Sequence, residues 1–134
     1  MPHVSINYWA VLVAALINMA VGAIWYSKPV FAKQWAHLTG RKMDQMGNGS
    51  TSYAITAVAA LVQAWILSHF VAYAGSTTAL QGAVTGLWLW IGFVAITQGV
   101  NTVFAETRKK LWAINTGYFL VVLVINGALL AAWR

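Results

Sequence analysis

Four long apolar stretches constrain the fold of this chain more than any other feature. They span approximately residues 6–27, 51–73, 82–104 and 111–133, and none of them contains Asp, Glu, Lys or Arg. A helix that rises 1.5 Å per residue needs about 20 apolar residues to cross a bilayer core. The chain of 134 residues is 7% charged, whereas a soluble domain is about 25% charged. The sequence therefore predicts an all-α integral membrane four-helix bundle, forming a single domain over residues 1–134.

Seven of the eight Lys and Arg residues lie in two of the three loops that join these predicted helices. The first and third loops share one side of a membrane that is crossed four times, and the positive-inside rule places that side in the cytoplasm. We therefore predict an integral membrane protein with both termini outside the cytoplasm. The net charge of +6 requires no nucleic acid, because attraction to anionic lipid headgroups accounts for it. The predicted headgroup-facing residues are Lys28, Lys33, Arg41, Lys42, Arg108, Lys109 and Lys110.

The segment WYSKPVFAKQW (25–35) follows the first apolar stretch and combines aromatic and basic residues. Pro29 suits the first turn of a new helix, and Phe31, Trp35 and Leu38 then fall on one stripe, with basic side chains opposite. This pattern predicts a short amphipathic helix at about 29–39 that lies in the membrane interface. We interpret it as an anchor that sets the depth of the bundle, with a gate or docking surface as the alternative. The interfacial anchor residues are Trp25, Tyr26, Phe31 and Trp35.

Asparagines occur in pairs on the first and fourth predicted helices. Asn7 and Asn18 are eleven residues apart, as are Asn115 and Asn126, and eleven residues come within about 20° of three full turns. Each pair therefore lies on one helix face. Interhelical hydrogen bonding explains these faces best, and a lining for a ligand is the alternative. The predicted helix limits offset the two pairs by about 9 Å, so either the helices slide or the asparagines have different partners.

The third predicted helix carries two further patterns. Gly82 and Gly86 are spaced as small residues are where helix backbones approach closely in membranes. Near the predicted cytoplasmic end, Gln98, Asn101 and Thr102 lie on one side of the helix.

The sequence contains little that could perform catalysis or bind a metal. It has no cysteine, and His69 is a single histidine in a predicted span, whereas a metal site requires several ligands. Glu106 is followed by three basic residues, which suggests an interfacial ion pair. We find no nucleophile–base pair, so we predict that the protein is not an enzyme and uses no cofactor.

Three segments resemble a known pattern: WYSKPVFAKQW, GLWLWIGFVAITQGVNTVFAE and LWAINTGYFLVVLVINGALLAA. The chain resembles a widespread family of small bacterial four-helix membrane proteins that is catalogued as a domain of unknown function. It departs from the pattern at Lys28, which stands between the serine and the proline of the first segment. The resemblance implies the four-helix fold, a location in the bacterial inner membrane and no established activity. The residues that match are Trp25, Tyr26, Ser27, Trp35, Gly92, Phe93, Thr97, Gln98, Asn101, Glu106, Asn115, Gly117, Tyr118 and Gly127.

The polar members of that pattern, Gln98, Asn101, Glu106 and Asn115, all fall at the predicted cytoplasmic end of the third and fourth helices. They are the candidate polar site, and Asn7, Asn18, Asn126 and His69 are the candidate polar residues on helix faces. Our first hypothesis is a structural or accessory subunit that self-associates or binds a partner membrane protein or a lipid. The alternative is a homo-oligomeric channel or carrier for a small neutral or hydrophobic solute.

Overall fold

The computed structural model of the protein describes residues 4–25, 50–105 and 109–133. Four helical segments in these ranges are long and apolar enough to cross a membrane, which confirms the predicted all-α bundle. They are α1 (Tyr8–Trp25), α2 (Ser50–Tyr73), a third span made of α3 (Ala79–Leu89), a π-helical segment (Trp90–Ala95) and α4 (Ile96–Phe104), and finally α5 (Lys109–Ala132).

Part of the sequence prediction falls outside the described residues. The interfacial helix predicted at about 29–39 lies there, and so do Glu106 and the C-terminal Arg134. The same holds for three anchor residues and five headgroup residues: Tyr26, Phe31, Trp35, Lys28, Lys33, Arg41, Lys42 and Arg108.

Polar side chains define where two of the helices begin. The Oδ1 atom of Asn7 accepts hydrogen bonds from the backbone N–H groups of Trp9 (3.1 Å) and Ala10 (3.3 Å), so it caps α1. The hydroxyl of Thr78 accepts from the N–H of Gln81 at 3.2 Å. This cap starts the third span at residue 79, earlier than the limit of 82 that the sequence predicts.

The fourth span, α5, is the centre of the bundle. We compare the most apolar 18 residues of each span. In α5, 44% of them are buried inside the protein, against 28% in α1 and in α2 and 11% in the third span. The third span is therefore the outermost element. The core consists mainly of alanines from α1 and α2 and of larger residues from α2 and α5: Ala10, Val11, Ala14, Ala15, Ala60, Ala64, Leu67, Val71, Leu123, Leu130 and Ala131.

Glycines bring the backbones of α3 and α5 into direct contact. A Cβ atom built on Gly82 would lie 2.6 Å from the carbonyl carbon of Gly127 and 2.5 Å from the Cβ of Ala131. A Cβ atom on Gly86 would lie 2.7 Å from the carbonyl carbon of Leu123. These distances leave no room for a side chain, so the spacing of small residues in the third helix serves its packing against α5.

The π-helical segment interrupts the middle of the third span. A π-helix carries an extra residue per turn and occurs mostly as single turns, frequently at functional sites. The carbonyl oxygen of Ala95, at the end of this segment, accepts a hydrogen bond from Nε1 of Trp112 at 3.0 Å. A side chain of α5 therefore supplies a partner to the backbone where the regular helical pattern is interrupted.

Candidate functional site

The buried asparagines Asn18 and Asn126 have different partners. This is the second of the two alternatives predicted from the offset between the asparagine pairs, the first being that the helices slide. Nδ2 of Asn18 donates to Oε1 of Gln63 at 2.9 Å, which links α1 to α2. The hydroxyl of Tyr118 donates to the backbone oxygen of Asn18 at 2.9 Å and also contacts its Oδ1 atom. Nδ2 of Asn126 donates to the backbone oxygen of Ala14 at 3.0 Å. Asparagine does not pair with asparagine, and the two helices run antiparallel.

One end of this α1–α5 contact carries a further hydrogen bond. Nδ2 of Asn7 donates to the backbone oxygen of Trp133 at 3.3 Å. In the middle of the contact, Oδ1 of Asn126 is buried without a hydrogen-bond partner among the described residues. The Nδ2 group of Asn126 is therefore hydrogen-bonded to α1, whereas its Oδ1 atom is not.

Tryptophan side chains bond helices together in a way that the sequence analysis missed. Nε1 of Trp25 donates to the backbone oxygen of Ile114 at 2.8 Å, and Nε1 of Trp90 donates to that of Thr116 at 2.8 Å. Together with Trp112, they place three indole donors on carbonyl groups of neighbouring elements. Trp25 was predicted as an interfacial anchor, and its indole also fastens the end of α1 to α5.

A polar cavity of about 220 Å³ lies between α4 and α5, at the end of the bundle where α5 begins. Three of the four candidate polar residues, Gln98, Asn101 and Asn115, line it together. The hydroxyl of Thr102 donates to the backbone oxygen of Gln98 at 2.8 Å, and the hydroxyl of Thr116 donates to that of Trp112 at 2.6 Å. Both hydroxyl hydrogens are used within their own helices, and Asn115 has an interaction of its own. The side-chain amides of Gln98 and Asn101 are therefore the hydrogen-bonding groups that this cavity can offer to a ligand.

A second cavity, of about 240 Å³, lies between α2 and the third span. Its lining is apolar except for Gln63, which is half-buried. The sequence analysis did not select Gln63, although a single glutamine in the middle of an apolar span is a recognisable signal. The apolar lining residues are Ile66, Leu67, Phe70, Leu89, Phe93, Val94 and Leu123.

Comparison with known proteins identifies the family. The model of a family described as "Protein of unknown function (DUF1761)" matches residues 9–131, which is most of the chain. The chain belongs to the DUF1761 family. No curated protein and no solved structure matches it. The family membership confirms the resemblance to a domain of unknown function, and it brings no established activity.

His69 has local contacts in this DUF1761 protein. Its Nδ1 atom lies 2.8 Å from the backbone oxygen of Trp65, and its ring meets the edge of the Trp65 ring at a centroid distance of 4.8 Å. Within the described ranges there is no group of three or more His, Cys, Asp or Glu residues that could hold a metal ion. The position of His69 is explained by its contacts within α2.

Two of the predicted headgroup residues of the DUF1761 protein, Lys109 and Lys110, form the first turn of α5 and are exposed. They lie at the same end of the bundle as the polar cavity, whose lining includes Leu111, the next residue in the chain. The described structure therefore brings two cations and three amides to one end of the protein.

Proposed function

We propose that this DUF1761 protein is a structural or accessory membrane subunit that acts by binding rather than by catalysis, and that its ligand is an anionic phospholipid headgroup. The observation that supports this is the polar cavity between α4 and α5. There the side chains of Gln98 and Asn101 are exposed and form no hydrogen bond with the described residues. Transfer of an amide without a partner into an apolar environment costs roughly 2–7 kcal/mol. A lipid headgroup that supplies polar groups at the edge of the hydrocarbon avoids part of that cost.

The depth of the cavity favours a headgroup. At 1.5 Å per residue, Asn101 lies about 4.5 Å from the end of α4 at Phe104, and Asn115 lies about 9 Å from the start of α5 at Lys109. The third span has 26 residues and is about 39 Å long, whereas the hydrocarbon core is about 30 Å thick. The cavity therefore extends from the headgroup level to the outer edge of the hydrocarbon, where phosphate and ester oxygens reside.

The charge at this end of the bundle favours an anionic lipid. Lys109 and Lys110 begin α5 beside the cavity, and a basic residue near an anionic surface contributes about 1 kcal/mol of attraction. We propose that this end faces the cytoplasm, since the positive-inside rule assigns clusters of basic residues to that side.

The proposal is tested by titrating the purified protein with phosphatidylglycerol and with phosphatidylcholine of the same acyl chains and measuring the bound lipid by native mass spectrometry. We expect phosphatidylglycerol to bind in preference to phosphatidylcholine. The double variant Gln98→Leu and Asn101→Leu should bind markedly less of it, because both free amides are removed. Thr97→Leu is the matched control, since Thr97 is exposed on the same helix but does not line the cavity. Equal binding by the wild type and both variants would contradict the proposal.

A second copy of the chain is a further candidate partner, and the third span is the observation that favours it. This span is the least buried of the four, and Trp88, Val103 and Phe104 are 69%, 73% and 84% exposed. In the membrane these side chains pack either against lipid tails or against the same face of a second copy, and close van der Waals packing between helices is what would favour the second copy. The masses recorded in the same titration distinguish a monomer from a homo-oligomer. A homo-oligomeric channel or carrier stays a prediction from the sequence, to be tested by solute flux into vesicles.

A further inference from the structure

The apolar cavity between α2 and the third span has a single polar lining residue, Gln63. We propose that this cavity binds a neutral carbonyl compound of the quinone type that dissolves in the bilayer, and that the carbonyl oxygen accepts a hydrogen bond from the Gln63 amide. The proposal goes beyond the headgroup site, because it concerns a different cavity, lined by none of the same residues.

The Gln63 amide is held in place by its neighbours. Its Oε1 atom accepts the bond from Asn18, and Asn18 is in turn bonded by the hydroxyl of Tyr118. In the described part of the chain this is the only hydrogen bond of the Gln63 side chain, so both hydrogens of Nε2 are unused. A hydrogen-bond donor that lies at an apolar cavity without a partner is destabilising. A ligand that brings an acceptor removes this cost, and little conformational entropy is lost on binding because the donor is already held in place.

The depth of Gln63 excludes the ester groups of phospholipids as that acceptor. Gln63 lies 13 residues after Ser50 and 10 residues before Tyr73 in α2, which is about 20 Å and about 15 Å from the two ends of the helix. It is therefore close to the midplane of a hydrocarbon core about 30 Å thick, whereas ester groups lie in the interfacial regions. The ligand must carry its oxygen into the centre of the bilayer, which requires a neutral molecule that is soluble in hydrocarbon.

The lining of the cavity favours a flat ring. Phe70 from α2 and Phe93 from the π-helical segment supply an aromatic side chain on each of the two elements that form the walls, and aromatic rings favour stacked or edge-on partners. The other lining residues are aliphatic. The volume of about 240 Å³ is below the range of roughly 300–1,000 Å³ for pockets that enclose drug-sized ligands. The cavity therefore suits one ring, with an alkyl tail that extends into the bilayer.

Binding of decylubiquinone to the protein in detergent micelles tests this proposal, with quenching of tryptophan fluorescence as the readout. We expect the quenching to saturate as decylubiquinone is added. Decylbenzene, which has a ring and a tail but no carbonyl, should not reverse the quenching at equal concentration. Gln63→Leu should weaken binding about tenfold, the effect of one buried hydrogen bond. Val94→Phe should abolish binding by filling the cavity while leaving Gln63 intact. Val100→Phe, on an exposed position of the same span outside the cavity, should bind like the wild type.

Three results would overturn the proposal. Quenching that does not saturate in the wild type would exclude a quinone site. Equal affinity of the wild type and Val94→Phe would place bound quinone elsewhere, whether or not Gln63→Leu folds. Displacement by decylbenzene at equal concentration would show that the carbonyl contributes nothing to binding. None of these results bears on headgroup binding, which is measured with a different ligand and different variants.

Discussion

Replacement of Gly82 by alanine tests the close contact between α3 and α5. The new Cβ atom would lie 2.6 Å from the carbonyl carbon of Gly127, about 0.8 Å short of the 3.4 Å at which ordinary van der Waals contact begins. The obstructing atoms include backbone, which cannot rotate away as a flexible side chain can. The two helices must therefore separate locally, and every contact along this pair is weakened.

The magnitude follows from two opposing effects. Overpacking typically costs about 1–3 kcal/mol, and the contact with backbone places Gly82→Ala near the upper end of that range. Alanine is favoured over glycine inside a helix by about 1 kcal/mol. The expected net loss in the free energy of unfolding is therefore about 2 kcal/mol. For Gly92→Ala the first effect is absent, because nothing lies within 4 Å of a Cβ atom at that position, and we expect no loss.

The assay is titration of the protein in mild detergent with sodium dodecyl sulfate, followed by far-ultraviolet circular dichroism. We expect Gly82→Ala to unfold at a lower mole fraction of dodecyl sulfate than the wild type, and Gly92→Ala to unfold with the wild type. If both variants unfold together with the wild type, the backbones of α3 and α5 are not in the close contact described.

Two further predictions concern polar groups inside the bundle and use the same titration. Tyr118→Phe removes the hydroxyl that bonds to Asn18, and interhelical hydrogen bonds in membranes average about 0.6 kcal/mol with a maximum of about 1.7, so we expect a loss between these values. Tyr73→Phe, whose hydroxyl has no hydrogen bond with the described residues, should leave stability unchanged, and equal effects of the two variants would contradict the assignment. Asn126→Ala, which adds no volume at this buried position, should cost less than Asn18→Ala. The first variant removes one bond to Ala14 together with an acceptor that is buried without a partner, whereas the second removes contacts with both Gln63 and Tyr118. A greater loss for Asn126→Ala than for Asn18→Ala would contradict this ranking.

The four spans could be predicted from the sequence because their physical cause is local. Stretches of more than 20 residues without formal charge have few options other than membrane crossing. The start of the third span differs most from its predicted limit, by three residues, because the cap at Thr78 had not been recognised. The grouping of Gln98 and Asn101 was predictable for a related reason, since their spacing along a helix fixes a common face. Asn115 joined Gln98 and Asn101 in the candidate polar site because it matches the family pattern.

Other features could not be read from the sequence because they depend on packing between helices. The partners of Asn18 and Asn126 follow from the axial position of α1 along α5, which no local signal sets. The π-helical segment WIGFVA contains no proline to mark an irregularity, and its carbonyl partner, Trp112, comes from another helix. Gln63 is recognisable in the sequence as a single glutamine in an apolar span, but the cavity beside it depends on how α2 packs against the third span.

The proposed function is the binding of a phospholipid headgroup at the polar end of the bundle. Native mass spectrometry of the protein, extracted gently from the membranes of its own host, measures the lipid that stays bound without any added lipid. We expect an anionic phospholipid to be retained by each protomer of the wild type and largely lost from the double variant Gln98→Leu and Asn101→Leu. A wild-type protein that leaves the membrane without lipid, or a double variant that retains as much lipid as the wild type, would contradict it.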